Sequence, residues 1–199
     1  IRARMETSDL GRRTAEEGVV TSEAELDELI ARSVEAGKVW RDLGAERRAE
    51  ILHAAGDVLQ SRRADLLEVM GSECGKVLEQ GDPEVSEAVD FARYYAERTL
   101  DLADGAVPGA VFRPHGVTVV TPPWNFPVAI PVGSVLAALA AGSPVLAKPA
   151  PQTPRCAAVA FAAVQAALAE EGVPADVLQV VTAPEDEVGR RLVSHPAVA

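Results

Sequence analysis

Asn125 and Lys148 are the residues of this sequence best placed to do chemistry. Asn125 is the only asparagine in the chain, and Lys148 is one of only three lysines, with Lys38 and Lys76. A carboxamide donates hydrogen bonds without adding a titrating group, and an ammonium can hydrogen-bond sugar hydroxyls or neutralise a phosphate. A β-branched run, Val117 to Thr121, leads into the turn Pro122-Pro123-Trp124-Asn125-Phe126-Pro127. An apolar, alanine-rich helix follows to about Ala141 and stops at Gly142, and a second apolar run, Val145 to Ala147, delivers Lys148. Strand, turn, helix, strand is half of a nucleotide-binding α/β unit, in which ligands bind where the carboxyl ends of the strands meet the loops. Each residue also has a plainer reading, Asn125 as the cap of the helix after it and Lys148 as a solvated strand-end charge. Their placement at two adjacent strand ends favours a site.

The elements that must hold these residues fall into an α/β fold. Residues 1–20 lack periodicity and read as an arm or linker. Residues 21–115 form a helical N-terminal region. From Ser22, with Glu25 completing a capping box, Leu26, Leu29, Ile30, Val34, Trp40 and Leu43 recur at three- and four-residue steps. A second helix spans roughly 45–60, and a third, roughly 63–74, ends at Gly75. A fourth opens with Asp82 as cap and Pro83 at the first helical position, carries Val85, Ala88, Val89, Ala92, Tyr95 and Thr99 on its inner stripe, and has Gly105 beyond its end. Tyr94 and Tyr95 are adjacent and cannot share one face. Residues 116–199 read as the first half of a Rossmann-like domain, strand–helix–strand–helix–strand, with a parallel sheet. Its second helix runs from Thr153 to Glu171 and its third strand from Val177 to Val181; a last helix covers about 185–194. Half a parallel sheet leaves an unpaired edge, which predicts self-association.

Composition bounds the function. The chain has 199 residues, 48% of them hydrophobic and 25% charged, an ordinary globular balance. A net charge of −11 argues against a polyanion partner, since nucleic-acid binding needs a basic footprint. No apolar span is long enough to cross a bilayer, and the segment Ile1 to Arg13 has no signal-peptide core. Cys74 and Cys156 are too few for a disulfide framework and have no metal-ligand spacing, nor do His53, His115 and His195; a reducing, cytoplasmic home fits. A start at Ile1 suggests a piece of a longer polypeptide.

Pro123-Trp124-Asn125-Phe126-Pro127, Ala138-Leu139-Ala140-Ala141-Gly142, Lys148-Pro149-Ala150 and Gln152-Thr153-Pro154 resemble, in order and spacing, the NAD(P)-dependent aldehyde dehydrogenase superfamily. The resemblance implies that Asn125 donates its amide to the oxyanion formed when a thiolate attacks the aldehyde. A preorganised donor of that kind is worth about 3–4 kcal/mol in acyl transfer. It further implies that Lys148 contacts the adenosine ribose, that Thr121, Pro122, Trp124 and Ala150 belong to the cofactor cleft, and that Phe126 and Pro127 shape the turn. The helical half, through Glu73-Cys74-Gly75-Lys76, Glu84 to Phe91 and Tyr94-Tyr95-Ala96, is similar to the L-glutamate-γ-semialdehyde (pyrroline-5-carboxylate) dehydrogenases, including the dehydrogenase half of bifunctional proline-utilisation enzymes. There Glu87 aligns with a helix glutamate near the aldehyde pocket; its plain reading is an exposed carboxylate.

Two departures matter. Pro151 stands where the family has a glutamate that accepts from the ribose hydroxyls, so NAD is expected with NADP left open. The family's cysteine nucleophile, glutamate base and pyrophosphate-binding turn come later than the last residue here, so this chain alone is expected to be inactive. Cys156, inside an alanine-rich helix, reads as packing; Cys74, at a helix end beside Lys76, reads as remote from Asn125. FAD enters only if a proline dehydrogenase domain is fused upstream. The expected partners are a small aldehyde and, in the intact protein, further copies or fused domains. The alternatives are another aldehyde dehydrogenase, such as a succinate-semialdehyde type, or a non-catalytic module that binds a nucleotide or a partner.

Overall fold

The sequence's alternation of short apolar runs with long amphipathic stretches produces a small parallel sheet wrapped by helices. The computed structural model describes residues 1–103 and 107–198. In order these form α1 (Arg2–Thr7), α2 (Arg12–Glu17), α3 (Glu23–Asp42), α4 (Gly44–Ser61), α5 (Arg63–Cys74), α6 (Leu78–Asp101), β1 (Thr118–Val120), α7 (Ala129–Ala140), β2 (Val145–Ala147), α8 (Pro154–Glu170), β3 (Leu178–Val180) and α9 (Glu187–Ser194). The expected turn at Gly105 lies outside the described residues.

The sheet runs β1-β2-β3, all parallel, with Thr118 opposite Val145 and Val145 opposite Leu178. β2 is the middle strand and wholly buried, as a parallel strand covered on both faces must be. Its side chains alternate between two cores. Val145 and Ala147 pack with α4 to α8, whereas Leu146 packs with Leu26 and Ile30 of α3 and Val188 and Leu192 of α9. α3 serves both cores, because its later residues Ala36 and Trp40 join the first. Trp40 is fully buried, and its indole nitrogen donates to the Leu139 carbonyl at 2.9 Å, tying α3 to the end of α7.

Most boundaries follow the caps read from the sequence. Ser22 Oγ accepts from Glu25 N at 3.3 Å, while the Glu25 carboxylate reaches back to Thr21 N at 3.1 Å, one residue earlier than in the standard box. α7 ends in a Schellman turn: Gly142, at φ 78°, donates to Leu139 O, and Ser143 N donates to Ala138 O.

Three expectations change. α6 begins at Leu78 rather than at Pro83, and Asp82 is an exposed partner of Arg63 instead of a cap. Pro83 is tolerated inside the helix because the carbonyl it leaves unbonded, that of Glu79, lies on the exposed side. Residues 1–20, read as an arm or linker without periodicity, do carry regular structure. They form α1 and α2, which lie on α5 and α8, and Arg155 fixes the turn between them through Leu10 O at 2.8 Å and Ser8 O at 3.0 Å. Gly11 permits that approach, since a Cβ there would meet the Arg155 carbonyl at 2.8 Å. The sheet edges, finally, are each met by a bridging residue, Val19 beside Thr182 and Val198 beside Val117, so the expected free edge is partly closed.

Candidate active site at the strand ends

The Asn125 turn is held by two residues from the helical region. α7 has no side-chain cap of its own, so the capping reading of Asn125 does not hold. Glu84 of α6 does that work from across the interface: its Oε1 accepts from Val128 N at 2.8 Å and Ala129 N at 3.1 Å. A carboxylate suits the positive end of a helix. The other oxygen of Glu84, which is 2% exposed, pairs with the ammonium of Lys76. Lys76 also donates to the Asn125 carbonyl at 3.1 Å and lies 4.3 Å from the centre of the Phe126 ring. Pro127, Val128 and Ala129 are buried, whereas Trp124, Asn125 and Phe126 are exposed. Together with Cys74, Lys76 and Gln80 these three exposed residues line a cavity of about 500 Å³.

Lys148 leaves the sheet with its backbone N–H bonded to Val120 O at 2.8 Å. Its half-buried side chain borders two confluent cavities, of about 340 and 540 Å³, which share Lys148, Pro151, Thr182 and Ala183. Ala150 lines the first, opposite Arg12 and Glu16 of α2. Thr153 supplies no side-chain cap to α8; Glu73 does so, accepting from Arg155 N at 2.9 Å and Cys156 N at 2.6 Å. The end of α5 therefore stands between the two regions, Glu73 on the Lys148 side and Cys74 on the Asn125 side. Thr121 and Pro122 follow directly after β1, and neither lines the Lys148 cavities.

Glu87 is exposed on α6 and lines a shallow groove with Phe91 and Tyr94, separated from the Asn125 cavity by Pro83, which borders both. Of the tyrosine pair, Tyr95 packs on the core and Tyr94 is the one in the groove. Sequence reasoning missed Glu84 and Glu73. Glu84 carried a signal: it stands four residues before Ala88 and eight before Ala92, on the buried stripe, where an unpaired carboxylate would be costly.

Cys156 is buried in the core on α8 as expected, whereas the placement of Cys74 is corrected. Cys74 lines the Asn125 cavity, and its thiol donates to the Met70 carbonyl at 3.0 Å. The neighbouring Cys156 thiol, opposed by burial and helped by the backbone N–H and charge of Lys76, brings Cys74 down from 9.0 to about 7. Cys156 is pushed up by the neighbouring Cys74 thiol, by burial and by Glu73. A lowered pKa favours the thiolate, so iodoacetamide labelling of Cys74 is expected to rise as pH passes about 7, with Cys156 unlabelled in the native protein. Peptide mapping across a pH series checks this; an inflection near 9 would contradict it.

Among the described residues no cluster of three metal-ligating side chains occurs, and no helix is long and apolar enough to cross a membrane. An exposed carboxamide at one strand end and a cleft bordered by a lysine at the next suit polarisation of a substrate oxygen beside nucleotide binding. Comparison with known proteins points the same way. A 1-pyrroline-5-carboxylate dehydrogenase of Geobacillus sp. (strain WCH70) is 42% identical over 170 residues, 81% of this chain and 32% of that protein. The bifunctional protein PutA of Klebsiella aerogenes is 38% identical over 177 residues, 89% of this chain and 13% of that protein. The solved structure of proline utilization A from Corynebacterium freiburgense superposes with a TM-score of 0.81 at 43% identity, covering 90% of this chain and 18% of that one. A 1-pyrroline-5-carboxylate dehydrogenase from Thermus with bound NAD gives 0.80 at 32% identity, over 89% of this chain and 36% of that one. The chain thus spans about a third of the length of such dehydrogenases. The aldehyde dehydrogenase family model matches residues 13–199, nearly the whole of the strand-end framework and its helical support, and the chain belongs to that family.

Proposed function

We propose that this chain is the amino-terminal segment of an NAD(P)-dependent enzyme that oxidises L-glutamate γ-semialdehyde to glutamate in proline catabolism. In this reading residues 21–115 are the helical region and residues 116–199 begin the cofactor domain. The observation that carries it is the exposed Asn125 carboxamide on the wall of a cavity, one strand away from the Lys148 cleft. A cysteine thiolate outside these residues attacks the aldehyde, and Asn125 Nδ2 donates to the oxygen on which negative charge develops. Trp124 closes one side of the same cavity. Glu87 stands on the flank where the substrate's amino-acid end would lie.

The residues at Lys148 fit a dinucleotide. Pro149, Ala150, Pro154 and Ala183 give the cleft apolar walls suited to adenine, and the ammonium at its edge suits ribose hydroxyls. Thr121 and Pro122 add contacts from just after β1. When bound, the nicotinamide accepts the hydride. Exposed Pro151 neither accepts from a 2′-hydroxyl nor repels a 2′-phosphate. Pro151→Glu is expected to raise the KM for NADP+ about tenfold or more with that for NAD+ unchanged or lower, since one charged hydrogen bond or like-charge contact is worth that much. Equal changes for both nucleotides would contradict this placement. In the intact protein, further copies or fused domains are the expected partners.

The test is turnover by the full-length protein with L-glutamate γ-semialdehyde, succinate semialdehyde and betaine aldehyde. The highest kcat/KM is expected for the glutamate compound. A preference for either of the others would move the assignment to another aldehyde dehydrogenase, and nucleotide binding without turnover of any aldehyde would favour a binding module.

A further inference from the structure

We propose that Lys76 and Glu84 are positioning residues for Asn125, a buried ion pair that fixes the turn from which the carboxamide projects. The inference rests on the oxyanion reading of Asn125. Between the end of β1 and the start of α7, residues 121–126 belong to no helix, strand or hydrogen-bonded turn. The turn carries prolines, which restrict φ, but nothing in its own backbone fixes the peptide at Asn125. Lys76 supplies that restraint directly, by its bond to the Asn125 carbonyl at 3.1 Å and its contact with the Phe126 ring.

Glu84 supplies it at both ends. One oxygen holds two free N–H groups at the start of α7, those of Val128 just before the helix and Ala129, its first residue, and so sets where the turn must finish. The other holds Lys76, whose side chain is 10% exposed beside a Glu84 side chain that is 1% exposed. Both oxygens of the carboxylate are thus engaged, and the ammonium's reach is shared between α6 and the turn. An ion pair this buried is weak evidence for stability, since burying both charges opposes their attraction. It is better suited to fixing a geometry. The Lys76 restraint acts on the backbone carbonyl of the residue whose side chain faces the cavity, so a displacement of the turn moves the donor itself.

A double-mutant cycle in the full-length enzyme tests this. Lys76→Met is expected to lower kcat for the aldehyde by up to about 100-fold, the scale of an ångström-sized misplacement, with the KM for the nucleotide unchanged. In an Asn125→Ala background the same substitution is expected to change kcat less than threefold, because the group it positions is gone. Lys76→Arg, which keeps the charge and the pair with Glu84, is expected to recover most of the activity. Losses that multiply in the double variant would overturn the positioning role while leaving the oxyanion role intact. An Asn125→Ala variant as active as wild type would instead remove the oxyanion reading on which the proposal stands. If Lys76→Met fails to fold, the cycle is run with Lys76→Gln, which removes the charge but keeps a polar head, and is read in the same way.

Discussion

Replacing Asn125 with alanine is expected to lower kcat of the full-length enzyme about 100- to 1000-fold, the usual effect of deleting one oxyanion donor. The expected KM for the nucleotide is unchanged, because Asn125 lies in the Cys74 and Lys76 cavity and not in the cleft bordered by Lys148. Stability should hardly move. The side chain is exposed and caps no helix, so its loss opens no void and orphans no N–H. Steady-state kinetics with the aldehyde and the nucleotide varied separately, beside a melting curve, check all three statements. A variant with unaltered kcat would contradict the role, and a raised nucleotide KM would place Asn125 on the cofactor instead.

The largest expected effect on stability comes from Trp40. It is completely buried and joins α3 to the end of α7 through Leu139. Trp40→Ala removes a large packed side chain and leaves a cavity, at a cost of about 3–5 kcal/mol. Trp40→Phe keeps most of the volume and loses the hydrogen bond. The Leu139 carbonyl retains its other donor, Gly142 N at 2.8 Å, so the smaller change should cost only about 1–2 kcal/mol. Denaturant midpoints for the two variants measure the difference. Equal losses would mean that the hydrogen bond, not the packing, carries the contribution of the indole.

The sequence was most legible where the chain's signals are local. Gly142 and Gly75 stop their helices as expected, Ser22 opens α3, and each of the three short runs read as strands holds one. The positions of Asn125 and Lys148 followed from those boundaries alone. What escaped depends on contacts between elements distant in the chain. Glu84 caps α7 from 44 residues away, and Glu73 caps α8 from 82. Cys74 is brought near α8 because Glu73, its neighbour, accepts from the Cys156 N–H in the first turn of that helix. Pro83 misled for a related reason. A proline is a strong start signal, but the buried stripe extends upstream to Gly81, and packing there extended the helix through it. Residues 1–20 carry no helical period, and their two short helices depend on Arg155, Glu68 and α5 for support.

A crystal structure of the full-length protein with NAD+ and glutamate tests the central claim most directly. One carboxylate oxygen of the glutamate side chain is expected within about 2.7–3.2 Å of Asn125 Nδ2, with the adenosine ribose beside Lys148. Glutamate bound away from the cavity that Asn125 shares with Cys74 and Lys76, or a nucleotide seated outside the Lys148 cleft, would contradict the account.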